Sequence, residues 1–367
     1  MFEIVHQDTA SGARLGWLTT AHRVVDTPAF MPVATKATVK TLTPTEIRDA
    51  GTQAIISNAF HLHLGPGHEL IRKAGGLHRF MGWDGAIFTD SGGFQILCKE
   101  FKFRLNNQGI NYMNSRDGKR YMYTPELCMK IQGALGSDVA MVLDDCPPWG
   151  SNRDEIRDSV CRTVDWAQRS LDSRCNDKQL VFAILQGGTL PDMRKACADQ
   201  LVRMKFDGYG IGGLSIGEPK EVMHETIRLN LPMIPEDKPR YLMGVGSPAE
   251  LLDSIYLGVD IFDSAFPTRN ARHQTAMTRH GQVDLRRATL VDDFRPIDEE
   301  CKCYTCRHFS RSYIYHLFKE SEMLAMRLAS IHNVHFLQDM MAGARTAISE
   351  DRFAEFRDRF MEQYSSQ

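Results

Sequence analysis

Short apolar runs alternate with helix-like segments between residues 30 and 267 of the 367-residue chain. Most of these runs are continuously apolar, as expected of parallel strands that are covered on both faces. The pattern predicts eight strands, at residues 30–34, 53–58, 86–90, 138–144, 180–186, 208–213, 241–246 and 259–263.

The segments between the runs have helical spacing, and most begin with proline near the first turn and acidic residues behind it. Helices are predicted to start near residues 43, 124 and 248 and to cover residues 152–173, 191–204 and 219–229. Eight such strand–helix units predict an α/β fold, a (β/α)₈ TIM-type barrel, whose chemistry is expected at the carboxyl ends of the strands. The polar residues and glycines at those ends are Asn58, Asp90, Asp144, Gln186, Gly213, Gly244, Gly246 and Asp263.

After residue 267 the pattern changes to a basic stretch, a cysteine cluster, a long helical segment at 310–330 and an amphipathic tail with Phe353, Phe356 and Phe360. We therefore divide the chain into three parts. Residues 1–285 are predicted to form the catalytic barrel with an N-terminal extension. Residues 286–340 are predicted to form a zinc-binding subdomain, and residues 341–367 a C-terminal helix that packs back on the barrel.

Composition narrows the class of protein. Hydrophobic residues make up 43% and charged residues 25%, which is typical of globular proteins with a sizeable core. No apolar run approaches the roughly 18 residues of a membrane span, and the N-terminus lacks a signal-peptide pattern, so a cytoplasmic protein is expected. The net charge of -2 means that any nucleic-acid binding must come from a local patch. Nine cysteines without a secretion signal indicate reduced thiols.

Cys301, Cys303 and Cys306 supply three thiolates at C-x-C-x-x-C spacing. A closed tetrahedral zinc site needs a fourth ligand, and His332, placed just past the predicted helical segment, is the first candidate. The competing candidates are His308, His316 and His335. A Cys₃His site has no open position, so the expected zinc is structural.

Asp90 follows the third predicted strand and Asp263 closes the eighth. Two carboxylates that face one reaction centre suit glycosidic chemistry, in which one attacks and the other moves a proton. The alternative role for each of the two aspartates is to cap a helix or to form a structural ion pair. The groups around them complement a purine, because Asp144, Gln186 and the backbone of Gly213 and Leu214 offer donors and acceptors for a base edge. Phe94 and Met243 lie near strand ends and can stack on a flat base.

The segment from 264 to 290 holds five arginines against one acidic residue, Asp284. Such a patch engages phosphates on an otherwise neutral protein, although a solvated basic face is the alternative. The arginines are Arg269, Arg272, Arg279, Arg286 and Arg287. His61 and His63 form a His-x-His pair that is similar to those of metal-dependent amidohydrolases, but the later strand ends supply only aspartates, so a metal in the barrel mouth is not favoured.

Seven ordered motifs make the chain resemble the queuine tRNA-ribosyltransferases, the tRNA-guanine transglycosylases, over nearly its whole length. They are Thr89-Asp90-Ser91-Gly92-Gly93-Phe94-Gln95, Leu143-Asp144-Asp145-Cys146, Gln186-Gly187-Gly188, Gly212-Gly213-Leu214-Ser215, Tyr241-Leu242-Met243-Gly244-Val245-Gly246, Phe262-Asp263 with Pro267-Thr268-Arg269, and the set Cys301, Cys303, Cys306 and His332.

The resemblance implies base exchange at guanine 34 of tRNAs with GUN anticodons, those for Asp, Asn, His and Tyr. By similarity, Asp263 attacks the ribose C1′ to give a covalent RNA intermediate, and Asp90 acts as general acid and base. The family pattern also implies that the arginine-rich segment grips the anticodon arm and that a homodimer forms, with Phe309, Tyr313 and His316 as candidate interface residues. Residues implied to bind the base and its surroundings are Asn58, Ser91, Phe94, Asp144, Gln186, Gly213, Leu214, Met243 and Gly244, and those for RNA are Arg269, Arg272, Arg286 and Arg287.

The chain departs from the family pattern at Ser264, where bacterial members commonly have cysteine, and at Lys99, Lys102 and Arg104, where they have a serine-rich stretch. Ile216 and Cys146 together favour the small base 7-aminomethyl-7-deazaguanine (preQ1) over the bulkier queuine. The alternatives are a queuine-salvaging enzyme, a non-catalytic RNA-binding partner subunit, and a base exchanger that acts on DNA. The chain ends soon after Phe360, without the extra domains of the archaeal relatives that modify position 15, so position 34 is expected.

Overall fold

The computed structural model describes residues 1–97, 102–114 and 117–364. Its strands are β1 (Phe2–Gln7), β2 (Arg14–Thr19), β3 (Val24–Thr27), β4 (Ala29–Pro32), β5 (Ala54–Asn58), β6 (Ala86–Asp90), β7 (Phe103–Asn106), β8 (Gly109–Met113), β9 (Arg120–Tyr123), β10 (Val139–Met141), β11 (Leu180–Leu185), β12 (Gly208–Ile211), β13 (Arg240–Leu242), β14 (Ile261–Ser264), β15 (Thr275–Thr278) and β16 (Gly281–Asp284).

Helices cover the outside of the barrel and make up most of the C-terminal part. They are α1 (Pro44–Asp49), α2 (Ala59–Leu64), α3 (His68–Lys73), α4 (Leu77–Met81), α5 (Gly93–Gln95), α6 (Pro125–Leu135), α7 (Arg153–Asp172), α8 (Pro191–Arg203), α9 (Lys220–Asn230), α10 (Pro248–Leu257), α11 (Phe266–Arg272), α12 (Tyr304–His308), α13 (Arg311–Lys319), α14 (Met323–Ser349) and α15 (Phe353–Tyr364). None of the described helices carries an apolar stretch long enough to cross a bilayer.

The central sheet confirms the predicted barrel. Its eight strands are parallel and follow the order β4-β14-β13-β12-β11-β10-β6-β5, and each lies within one of the predicted runs or overlaps it. A parallel bridge between Val33 and Ile56 joins the two ends of this order and brings the sheet close to closure. Phe88 meets both Phe182 and Tyr241 edge to face, with ring centroids 5.8 and 6.1 Å apart. Because these residues stand on non-adjacent strands, the contacts fill the barrel interior.

Three small antiparallel sheets, which the sequence pattern did not predict, are added to the barrel. The sheet β1-β2-β3 is tied to the amino ends of the barrel strands by buried charges. Arg14 forms an ion pair with Asp260, one residue before β14, and both side chains are almost completely buried. Asp138, one residue before β10, accepts hydrogen bonds from His22 Nδ1 at 2.8 Å and His78 Nε2 at 3.1 Å. The N-terminal sheet therefore closes the end of the barrel opposite to the strand ends predicted to carry the chemistry.

The predicted helix at 310–330 is wrong in its extent, because the structure has two helices there. α13 ends at Lys319 and α14 begins at Met323, with Ser321 between them at a positive φ of 58°. α14 then runs without interruption to Ser349, across the predicted boundary at residue 340. α15 packs beside α10 and α14, where Arg357 donates to Asp253 at 2.7 Å.

Candidate active site

One cavity of about 600 Å³ opens at the carboxyl ends of the barrel strands. Asp90 at the end of β6 and Asp263 in β14 both line it. In the order β14-β4-β5-β6 these two strands are three places apart, so the carboxylates reach the same mouth from different sides. The predicted site residues that line the cavity are Asp90, Phe94, Asp144, Gln186, Gly213, Leu214, Met243, Gly244, Asp263 and Arg269.

Asp263 is held by two hydrogen bonds to the same carboxylate oxygen. The hydroxyl of Tyr241 donates to Oδ1 at 2.5 Å, and the backbone N–H of Gly244 donates to it at 3.0 Å. Burial raises the pKa of Asp263 above its usual value, and these two donors oppose that rise by stabilising the anion. The arrangement fixes the direction of the second oxygen and holds a negative charge on the half-buried wall of the cavity.

Asp90 has the more strongly perturbed carboxyl group of the pair. Burial and, secondarily, the negative charge of Asp263 raise the pKa of Asp90 to about 6, while a hydrogen bond from Gln95 opposes the rise. Asn58 Nδ2 also donates to Asp90 Oδ2 at 3.3 Å. A carboxyl group that titrates near neutrality can both give and take a proton, which is what a general acid and base needs.

A second polar cluster faces the cavity from the ends of β10 and β11, the next two strands beyond β6. Gln186 Nε2 donates to Asp144 Oδ2 at 2.7 Å, and both side chains are buried. Burial, then the charges of Asp90 and Asp145, raise the pKa of Asp144 to about 7. Gln186 Oε1 is buried and has no hydrogen-bond partner among the described residues. A bound molecule with polar hydrogens along one edge would satisfy this group.

The backbone at Gly213 approaches Gln186 in a way that only glycine allows. Its φ is +68°, and a Cβ atom there would lie 2.6 Å from Gln186 Oε1. Leu214 follows with a buried side chain, so the backbone forms this part of the wall. Ile216 and Cys146, on which the predicted preference for a small base depends, also line the cavity.

Two predicted residues lie behind the cavity wall. Asn58 is buried, and besides reaching Asp90 it caps α2 by accepting the N–H of His61 at 2.9 Å. Ser91 is fully buried, and its hydroxyl accepts the N–H of Gly93 at 3.3 Å. The carbonyl of Ser91 accepts from the hydroxyl of Tyr123 at 2.6 Å. Both residues therefore shape the loop that carries Asp90.

Two residues that support the site were given no role from the sequence. Tyr241 stood in a recognised motif, but nothing marked its hydroxyl as the partner of Asp263. Arg194 of α8 is fully buried and donates to the carbonyls of Leu185 at 2.9 Å, Gly188 at 2.6 Å and Gly212 at 2.8 Å. It joins the ends of two strands to the glycine loop, and an isolated arginine in a helical segment gives no signal of this.

Some arginines of the predicted basic patch form ion pairs with aspartates, and the others could bind phosphates. Arg269 lines the cavity and is exposed, and Arg272 lies one helical turn further along α11. Arg286 pairs with Asp284 at 2.9 Å and Arg279 pairs with Asp339 at 3.0 Å. Arg269, Arg272 and Arg287 have no carboxylate partner within the described parts of the chain.

The four predicted zinc ligands converge. The Sγ atoms of Cys301, Cys303 and Cys306 lie 3.6, 3.6 and 3.3 Å from His332 Nδ1. Tetrahedral zinc with ordinary Zn–S and Zn–N bonds sets these atoms about 3.6 Å apart. The other ring nitrogen of His332 donates to the carbonyl of Met277 at 2.6 Å, which leaves Nδ1 directed at the thiolates. The donor set fits zinc, and His332 reaches it from within α14.

The His-x-His pair after β5 does not form a metal-sized cluster among the described residues. His63 Nδ1 instead lies 2.9 Å from His68 Nδ1, and burial followed by the neighbouring His68 lowers the pKa of His63 to about 4. The interpretation of this pair as a barrel-mouth metal site is not supported by its geometry.

Comparison with known proteins gives consistent matches over nearly the whole chain. Residues 8–366 match the family model described as queuine tRNA-ribosyltransferase. The queuine tRNA-ribosyltransferase of Thermoanaerobacter pseudethanolicus is 49% identical over 364 residues, covering 99% of this chain and 97% of the relative. That of Desulforudis audaxviator is 50% identical, with 98% and 97% covered, and that of Listeria welshimeri is 48% identical, with 99% and 96% covered.

Proposed function

The chain belongs to the queuine tRNA-ribosyltransferase family, and from that premise we propose that it exchanges guanine 34 of tRNAs with GUN anticodons for a 7-deazaguanine base. The observation that carries the proposal is the pair of half-buried carboxylates, Asp90 and Asp263, at one cavity with the polar edge of Asp144, Gln186 and Gly213. Guanine has the complementary edge, with N2–H₂ as donor and O6 as acceptor.

In the proposed reaction Asp263 attacks C1′ of the ribose. The C1′–guanine bond breaks, an ester bond forms between Asp263 and C1′, and the leaving guanine takes the proton of Asp90. The incoming base then gives a proton to Asp90 and attacks C1′, which breaks the ester and restores the Asp263 carboxylate. Two displacements at one carbon retain its configuration. The elevated pKa of Asp90, about 6, supports its part, because Asp90 gives one proton to the leaving guanine and takes another from the incoming base in each cycle.

For the base itself, we propose a sandwich between Phe94 and Met243, which both line the cavity. Asp144 would accept hydrogen bonds from the edge of the base. The backbone N–H and C=O groups of Gly213 and Leu214 would form hydrogen bonds with the other polar atoms of the base. Asn58 and Ser91 lie behind the residues that contact the base. Asn58 orients Asp90 by a hydrogen bond, and Ser91 holds the loop that follows Asp90. Gly244 contributes the backbone donor that orients Asp263.

We propose preQ1 as the incoming base. Ile216 and Cys146 add bulk to the cavity wall beside Gln186 and Gly213, which favours a small substituent over the larger one of queuine. Queuine salvage is the alternative.

The tRNA is proposed to lie over the mouth, with the target nucleotide turned out of its loop into the cavity. Arg269 and Arg272 are placed to meet phosphates there, and Arg287 and Arg286 extend the basic surface. Cys301, Cys303, Cys306 and His332 would hold a structural zinc ion. With four protein ligands such an ion has no open position, so it would hold the C-terminal elements together.

We also propose a homodimer through the surface of α13. Phe309 and Tyr313 stack there with ring centroids 5.5 Å apart, and Tyr313 and His316 are exposed. A monomer at micromolar concentration, measured by light scattering, would contradict this interface.

The test is exchange of radiolabelled guanine into unmodified tRNA-Tyr, followed by separate chases with preQ1 and queuine. The proposal predicts incorporation by the native enzyme, none by Asp263→Ala, and release of label by preQ1 only. Release by queuine alone would make the protein a salvage enzyme. Absence of any exchange would overturn the proposed activity and favour a silent partner subunit, and exchange into the matching DNA would extend the substrate.

A further inference from the structure

The three-stranded sheet β7-β8-β9 presents an unusually basic outer face. Residues that are paired across the strands lie on the same face of the sheet. Lys102, Met113 and Arg120 are paired in this way across the three strands. Arg104 is paired with Asn111 on the same face, two residues further along. Lys102, Arg104 and Arg120 are all exposed. We call these three side chains the outer basic face.

The opposite face of this sheet packs on the barrel, so the basic side chains point away from the barrel. Tyr112 and Tyr123 are buried, and each meets Phe60 of α2 edge to face, with ring centroids 4.9 and 5.2 Å apart. Successive residues of a strand alternate between faces, so residues next to the buried tyrosines turn away from the barrel. The lysine and the two arginines therefore face solvent.

No acidic side chain in the described part of the chain neutralises these charges. Lys102, Arg104 and Arg120 have no ion-pair partner within residues 1–97, 102–114 and 117–364, whereas Arg153 and Arg157 are paired elsewhere on the surface. Arg169, which donates to the carbonyls of the β7–β8 turn, is paired with Glu126. The neighbouring acidic residue, Asp117, already accepts from the Tyr121 hydroxyl at 2.7 Å and the Lys119 N–H at 3.0 Å. The described residues from 102 to 123 carry four positive charges and one negative charge in a chain whose net charge is -2.

The sheet stands beside the mouth of the barrel. Tyr123 donates to the carbonyl of Ser91, immediately after Asp90, and Phe60 lies two residues after Asn58. Since β6 is three strands away from β14 around the barrel, the sheet lies across the mouth from α11 with Arg269 and Arg272. A nucleic acid whose target nucleotide enters the cavity would meet basic side chains on both sides.

We propose that the outer basic face is a second phosphate-binding surface, which contacts the backbone of the tRNA anticodon arm on the side of the mouth opposite to α11. This rests on the proposed function, because the occupant is the substrate of that same site. Neighbouring strands lie about 4.8 Å apart and residues two apart on one strand are separated by about 6.6 Å, so three long cationic side chains cover a patch wide enough for more than one phosphate. Contacts of this kind add affinity without reading sequence.

The test is the salt dependence of binding to unmodified tRNA-Tyr, measured by fluorescence anisotropy between 50 and 300 mM potassium chloride. The test variant carries Lys102→Gln, Arg104→Gln and Arg120→Gln. Each lost phosphate contact reduces the slope of log affinity against log salt by roughly 0.7 to 0.9. We expect the slope to fall by about 2 to 3 and the affinity near 0.15 M salt to fall by about ten- to a hundredfold, with kcat at saturating tRNA unchanged.

The matched control removes three exposed charges at the other end of the barrel. Lys178 precedes β11, Arg203 ends α8 and Lys205 precedes β12, and none has an ion-pair partner among the described residues. Lys178→Gln, Arg203→Gln and Lys205→Gln together should leave the slope within about 0.5 of the native value. The conservative Arg104→Lys should keep the native slope, whereas Arg104→Glu should lower the affinity further than Arg104→Gln.

The outcomes separate this proposal from the one on which it rests. If the native enzyme exchanges guanine and the test variant keeps the native slope, the outer basic face does not bind tRNA and only this proposal fails. An equal loss in the test and control variants would show a general charge effect and would also overturn it. If the native enzyme neither binds nor modifies tRNA, the proposed function itself fails.

Discussion

The hydrogen bond from Tyr241 to Asp263 provides a quantitative test of the reaction geometry. Burial and the Asp263 charge raise the pKa of Tyr241 well above its ordinary value, so the phenol keeps its proton and remains a donor. The variant Tyr241→Phe removes this donor, and of the donors that the described residues supply it leaves the Gly244 N–H, at 3.0 Å, on the carboxylate. The ring is completely buried, and its edge contact with Phe88 does not depend on the hydroxyl.

A hydrogen bond to a charged group contributes about 1.5 to 3 kcal/mol. One pKa unit corresponds to about 1.4 kcal/mol, so loss of the Tyr241 donor should raise the pKa of Asp263 by about 1 to 2 units. A higher pKa leaves less of the nucleophilic carboxylate at a given pH, so the acidic limb of the pH profile should move upward. Asp90 must carry its proton in the first step, so its titration shapes the alkaline limb, and the two limbs are linked because the Asp263 charge raises the pKa of Asp90.

The assay is kcat/KM for base exchange measured from pH 4.5 to pH 9. For Tyr241→Phe we expect the acidic limb to shift upward by about 1 to 2 pH units, with rates that approach the native ones on the alkaline side. Tyr209→Phe is a matched control, because Tyr209 is a buried tyrosine of the adjacent strand β12 that does not line the cavity. An unmoved limb, or a loss of equal size at every pH, would refute the role assigned to Tyr241.

Three further variants test other parts of the site. If the cluster holds the proposed zinc, Cys303→Ala should lose it, measured by mass spectrometry of metals, and unfold the C-terminal subdomain, whereas the exposed Cys161→Ala should keep the metal. Arg194→Met removes three buried hydrogen bonds, so it should destabilise the fold by about 3 kcal/mol in urea unfolding and raise KM for the incoming base, because the carbonyl of Gly212 loses its donor. Ile216→Gly should widen the cavity and allow queuine to be incorporated, whereas continued rejection of queuine would contradict the assignment of selectivity to this wall.

The barrel could be predicted from the sequence because its strands are covered on both faces and therefore appear as apolar runs that end in polar residues. The same reasoning located Asp90, Asp144 and Asp263, since a charged residue directly after such a run marks a strand end. The candidate metal ligands were predictable in type from three closely spaced cysteines. His332 was chosen among several histidines, and only the return of α14 places its Nδ1 beside the thiolates.

The rest of the structure depends on contacts between distant segments. β1 is half-buried on alternate residues and is held by pairing with β2 and by charges such as Arg14 with Asp260, and no local pattern indicates these partners. The break between α13 and α14 occurs at three polar residues, 320–322, that by themselves permit a helix. Arg194 and Tyr241 act through hydrogen bonds whose partners are set by the packing of strand ends, so no local sequence pattern indicates their roles.

The covalent intermediate provides the most direct test of the central claim, that Asp263 is the nucleophile of a base exchange. The native enzyme should be mixed with unmodified tRNA-Tyr, quenched in denaturant and resolved on a denaturing gel. We predict an RNA–protein adduct that is absent in Asp263→Asn, disappears when preQ1 is added before the quench, and maps by mass spectrometry to Asp263. An adduct that persists in Asp263→Asn, or that maps to another residue, would contradict the account.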